Sequence, residues 1–147
     1  MKRFLMVMVL SILMLSSLVY GEEQSVDSDV LEMITHEVDV TNERIENYIE
    51  AHVNYSEGVL ITYDKKIKFL NDYFSGKTRQ YLTQLFTEKK DYLIDLIIDS
   101  LIKVTNAEAE RMFYRAESFG VTVICDYTFV IIDTKEILID PIRVVGG

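Results

Sequence analysis

The stretch GVTVICDYTFVIIDTKEILIDPIRVVGG, residues 120–147, decides the fold. Before Gly120, apolar residues recur at helical spacing; after it, the period drops to two. Val121, Val123, Cys125, Tyr127, Phe129 and Ile131 alternate with Thr122, Ile124, Asp126, Thr128, Val130 and Ile132. Both sets are rich in β-branched and aromatic side chains, which suit a pleated, packed surface. The alternation predicts one strand over residues 121–132, a turn over 133–136 and a returning strand over 137–140. Pro141 has no N–H for a ladder and interrupts that return. Residues 142–145 read as a last short strand. Gly120 stands where a helix ends in a left-handed residue.

Upstream of Gly120 the chain reads as helix. Leu31, Val38, Ile45 and His52 recur every seven residues, interleaved with Ile34, Thr41, Tyr48 and Tyr55. This 3–4 spacing predicts a first helix over residues 28–55 with a narrow apolar seam. Asp27 or Ser28 can cap its start, and residues 54–58 are a plausible end. Leu60, Tyr63, Ile67, Leu70 and Phe74 are spaced for a second helix over 59–74, although residues 59–62 alone also suit a strand. Ser75-Gly76 breaks the pattern. A third helix over 78–103 is apolar around most of its circumference, through Leu93, Ile94, Leu96, Ile97, Ile98 and Leu101. Thr105-Asn106-Ala107-Glu108 has the form of a capping box and predicts a fourth helix through about Ser118. The expected fold is therefore α+β. Three to four mostly antiparallel helices precede a C-terminal antiparallel β-hairpin or small meander.

Charge supports a pairing of the first two helices. Residues 22–57 carry eleven acids and one base, Arg44, a net charge of −10; residues 58–147 carry thirteen acids and twelve bases. Two such acidic helices would repel each other, so the first helix is expected to pack on the segment bearing Lys65, Lys66 and Lys68 as an antiparallel hairpin.

The N-terminus supplies an address. Lys2 and Arg3 precede an uncharged apolar run from Phe4 to Tyr20, and Gly21 then meets Glu22, Glu23 and Gln24. This is the layout of a secretory signal peptide, with Val19 and Gly21 as the small residues of a cleavage site. The apolar run is slightly shorter than the ~20 residues of a spanning helix. The expectation is a signal peptide over 1–21 and a single mature domain over 22–147, with a helical part over 22–118 and a β part over 119–147. The location is then periplasmic or extracellular. The mature chain would hold 13 bases and 24 acids, a net charge of −11. That balance argues against nucleic acid and against anionic membrane surfaces as partners, leaving the membrane as a transient export route. Asn54-Tyr55-Ser56 is a glycosylation sequon that matters only in a eukaryotic host. Cys125 is the only cysteine, so no internal disulfide forms. A buried thiol and an intermolecular disulfide are its two readings.

No motif for chemistry stands out. Asp91, Asp95 and Asp99 form one stripe on the third helix, since each step of four drifts only about 40° around the axis. They are weak candidates for a cation, set against a solvated strip on a greasy helix. His36 and His52 lie roughly 24 Å apart on one predicted helix, too far to share an ion. There is no nucleophile elbow and no glycine-rich phosphate loop, and no cofactor is expected. The functional lead is the β segment, both of whose faces are largely apolar. A two-stranded hairpin does not cover itself in water. One face can lie on the helices. The other, with Ile124, Val130 and Ile132, then needs cover from a partner chain or from further helix packing. The leading expectation is an exported, non-enzymatic protein acting by association with a protein partner or with itself. The alternative is a carrier of a small apolar, lipid-like ligand held between the third helix and the sheet. An envelope hydrolase using the aspartate stripe comes third.

Overall fold

Asp27 opens the first helix by accepting, through its carboxylate, a hydrogen bond from the backbone N–H of Asp29 at 3.0 Å. In the computed structural model, which describes residues 26–146, this helix runs unbroken as α1, Ser28–Tyr73. A second, α2, covers Gly76–Glu117. The signal-peptide expectation for residues 1–21 lies outside the described residues. Two long helices thus replace the three or four expected, at about 70 and 63 Å each.

Of the three expected breaks, the one at Ser75-Gly76 occurs and the other two do not. The predicted seam of α1 holds at Ile34, Val38, Thr41 and Ile45, continues through half-buried Tyr48 and His52, and then steps by four to buried Ser56. Tyr55, expected in the seam, faces solvent. A single extra residue shifts the seam by one position, which the helix pair absorbs by a local change of supercoil. Beyond it the seam resumes through Leu60, Tyr63, Ile67 and Leu70, so residues 59–62 are helix and not strand. Ser56 satisfies its buried hydroxyl by donating to the Val53 carbonyl at 2.7 Å. Gly58 sits mid-helix with nothing within 4 Å of where a Cβ would stand. Gly58→Ala is therefore expected to stabilise the protein by about 0.5–1 kcal/mol, measurable as a higher urea midpoint.

The second missing break is at Thr105. Its hydroxyl donates to the carbonyls of Leu101 at 3.0 Å and Ile102 at 3.2 Å, one turn back in the same helix. Glu108, the other half of the expected capping box, faces Arg111 and, at 3.6 Å, Arg44. Both members of the motif have other partners, so the helix continues. It ends at Glu117, close to the expected Ser118, and Gly120 follows as the expected left-handed residue. Val121 N–H donates to Ala116 O and Gly120 N–H to Glu117 O, both at 3.0 Å, and Gly120 adopts φ +71°. This crossed pair of bonds is the Schellman motif, whose left-handed residue favours glycine.

The helices are antiparallel, joined by residues 74–75. Glu37 meets Arg115, Arg44 meets Glu108 and His52 meets Ser100, later residues of α1 pairing with earlier ones of α2. The β part comprises β1 (Thr122–Cys125), β2 (Thr128–Ile132), β3 (Lys135–Ile139) and β4 (Ile142–Gly146). β2 and β3 form a hairpin across residues 133–134, and β1 pairs antiparallel with β4. The expected single strand over 121–132 is split at Asp126-Tyr127, directly across from the break at Pro141. Asp126 N–H donates to Pro141 O at 2.7 Å between the two ladders.

That split reverses which residues point inward. In β1 the buried residue is Val123; in β2 the buried ones are Val130 and Ile132. Two apolar clusters result. One joins Ile34, Val38, Ala109 and Met112 to Val121, Val123 and Ile142. The other joins Ile45, Ile94, Ile97 and Leu101 to Val130, Ile132, Ile137 and Ile139. Both lie in the half of the helical hairpin away from its turn. From residue 57 to residue 93 only Leu70 is fully buried, so the turn end projects beyond the β part as a bare two-helix finger.

Candidate interaction surface

The β2–β3 ladder builds this surface. Phe129 lies directly opposite Leu138, and Ile131 opposite Glu136. Directly opposed residues share a face, and the alternating pairs Val130–Ile137 and Ile132–Lys135 occupy the inward one. Val130 and Ile137 are buried on the helices, and Lys135 reaches Asp95 of α2. The outward face therefore carries three large apolar side chains: Phe129 is 70 % exposed, Ile131 63 % and Leu138 46 %. Tyr127, at the split, is also exposed. Isolated exposed apolar residues are ordinary; neighbours on one ladder face form a patch.

The three residues expected to share a contact face do not share one. Val130 and Ile132 are buried in the second cluster, and only Ile124, on β1 opposite Arg143, faces outward. Alternation running unbroken through Asp126-Tyr127 would place the outward set of β2 on the inward face. Pro141 was the available signal: a break in one strand of a hairpin displaces its partner as well.

Of the aspartate stripe Asp91, Asp95 and Asp99 on α2, Asp95 contacts the β-hairpin. Lys135 pairs with Asp95, while Lys90 lies 3.6 Å from Asp91 and 3.8 Å from Asp133 in the β2–β3 turn. Asp95 raises the Lys135 ammonium above its ordinary value, chiefly by hydrogen bonding. Among the described residues, no three acidic, histidine or cysteine side chains converge as a metal site. His52 is a packing residue. Its Nδ1–H donates to the Tyr48 carbonyl at 2.7 Å, which leaves Nε2 to accept from the Ser100 hydroxyl at 3.3 Å. His36 is exposed on the same helix.

A groove of about 390 Å³ lies between the helices, with Arg44, Arg111 and Arg115 at its rim. Its cations are already engaged. Arg115 forms a two-pronged pair with Glu37, both bonds at 3.0 Å, and stacks 4.6 Å from the Phe119 ring. Arg44 and Arg111 share Glu108. Hydrogen bonding from Arg115 holds the Glu37 carboxyl below its ordinary value of 4.5. A lowered carboxylate value contributes stability that is present above the unfolded-state value and disappears as pH falls through the folded one. The stabilising difference between wild type and Glu37→Gln is thus expected at neutral pH and expected to vanish well below pH 4.5. Paired urea titrations at the two pH values measure it.

Burial, reinforced by the charge of Asp140, pushes the Cys125 thiol up. Since the thiolate is the reactive form, this shift works against nucleophilic reactivity. Among the described residues no helix is long and apolar enough to cross a membrane. No protein family, curated protein or solved structure matches the chain.

Proposed function

We propose that this chain is an exported, non-enzymatic protein that acts by protein–protein association through the outward face of β2–β3. The observation that carries the reading is the contiguous patch of Phe129, Leu138 and Ile131 on one ladder face. Its inward neighbours are already packed on the helices, so turning the ladder over to cover it would uncover the core. Face packing by another chain removes this surface from water and gains about 25 cal/mol per Å² of apolar area. In both two-stranded sheets, moreover, each strand keeps one edge without a strand partner among the described residues, which suits strand addition at the same site.

Export rests on Lys2, Arg3 and the apolar run that follows. N-terminal sequencing of the secreted protein is expected to begin Glu22-Glu23-Gln24. The packing lends no support to an apolar-ligand carrier, because Ile94, Ile97 and Leu101 fill the space against β2–β3 themselves. A hydrolase centred on Asp95 has equally little support, since that carboxylate is paired with Lys135.

The test compares residues 22–147 with Phe129→Ser/Leu138→Ser. Both substitutions are outward and leave the two clusters intact. Mass by light scattering, with retention of envelope proteins on each immobilised chain, is expected to show association for wild type and its loss for the double variant. Identical masses and identical retained proteins would contradict the proposal.

A further inference from the structure

The far end of the helical hairpin is chemically unlike the rest of the molecule. Residues 63–81 hold Lys65, Lys66, Lys68, Lys77 and Arg79 against Asp64 and Asp72, a net charge of +3 in a chain of net −9. Among the described residues none of these five cations forms a salt bridge. The same tip carries exposed aromatic rings. Phe69 lies against Tyr73 at 4.5 Å and near Phe74 at 6.4 Å, and Tyr81 is exposed across the turn. Phe69, Phe74 and Phe86 line an apolar groove of about 430 Å³ with Lys65 and Lys66 at its edge. Lys66 also stands over the Tyr63 ring at 4.8 Å.

We infer that this tip docks on the surface of an anionic lipid bilayer. Aromatic rings favour the boundary between headgroups and acyl chains. Lysines lay their stems along apolar surface and keep their ammonium groups at headgroup level. The tip offers both on a finger that projects beyond the β part. Net charge argued against such a surface when the chain was taken as a whole. The fold separates the signs: Glu37 lies roughly 50 Å along α1 from Tyr73. Screening in physiological salt acts over about 8 Å, so a surface meeting the tip senses lysine and not the acidic end. The resulting charge separation orients the molecule tip-first. The acidic helix of a second copy is the competing occupant. It would pair with the lysines but leave Phe69, Tyr73 and Phe74 against a polar wall, whereas a bilayer accommodates both.

Residues 22–147 contain both apolar clusters and lack the apolar run at 4–20, so they are the protein to test. Flotation with vesicles of phosphatidylglycerol and phosphatidylcholine is expected to recover wild type, and vesicles of phosphatidylcholine alone are not. Lys65→Gln/Lys66→Gln is expected to weaken binding about thirtyfold, each lysine near the surface contributing about fivefold. The chain has no tryptophan, so Phe74→Trp places a single reporter at the tip. Its emission is expected to shift to the blue on anionic vesicles only. Because Lys65, Lys66 and Phe74 are exposed, unchanged thermal melting confirms that these variants fold. Failure of wild type to float with anionic vesicles would overturn the inference, as would equal flotation with neutral ones. So would a lysine-dependent rise in protein mass without vesicle binding, which would place a second copy on the tip.

Discussion

Asn42→Leu is expected to destabilise the protein by about 2–6 kcal/mol, with the loss concentrated in the attachment of the β part to α1. Asn42 serves the main chain of Ile142 in both directions. Its Nδ2 donates to Ile142 O at 2.7 Å, and Ile142 N–H donates to its Oδ1 at 2.8 Å. Ile142 is buried and follows Pro141, where the ladder is interrupted. One side chain of α1 therefore stands in for a missing strand. Leucine has similar bulk but no polar atom, so it orphans one donor and one acceptor. Each orphaned group costs about 1–3 kcal/mol when water does not reach it. Asn47→Leu, five residues along the same helix and exposed, is expected to change stability by less than about 0.5 kcal/mol. Urea denaturation of the three proteins measures both effects.

The second large effect separates two adjacent residues of β2. Ile132 is 1 % exposed and packs with Ile45, Ile94 and Leu101. Ile132→Ala removes three buried carbons and leaves a cavity, a change that typically costs about 2–5 kcal/mol. Ile131, next in sequence, points outward, and Ile131→Ala is expected to stay within about 0.5 kcal/mol of wild type. The contrast follows from the period of a strand, in which a one-residue step changes face. Strand phase carried unbroken from Val121 would bury Ile131 with Val121 and Val123; the opposite ranking of the two variants would restore that phase and remove the outward patch.

The α+β class was legible because periodicity changes at Gly120, and Gly120 itself adopts the left-handed conformation that its position implied. The helix-to-helix turn at Ser75-Gly76 was legible for a similar reason, with Gly76 at φ +61°. The number of helices was not. Gly58 and the Thr105–Glu108 motif are local stop and start signals, and local propensity yields where tertiary burial runs through it. At Thr105 the hydroxyl turns back into the helix and Arg44, from the other helix, occupies Glu108. No pattern within α2 announces that partner. The apolar excess of the β segment was legible as a functional lead. Its outward members were not, because phase depends on where the ladder breaks. The finger's basic, aromatic tip was hidden for a different reason: its residues were read as the apolar face of a helix and as a counter-charge to α1. Their exposure follows only from how far the β part reaches along the helices.

In the proposed function another protein covers the outward face of β2–β3. The direct measurement places a photo-reactive residue at Ile131 and, as a control, at exposed Glu43 of α1, in the full chain in its native cells. A protein cross-link is expected from position 131 and none from 43, with the product's mass distinguishing a second copy from a different chain. Equal cross-linking from both positions, or none from 131, would contradict the proposal.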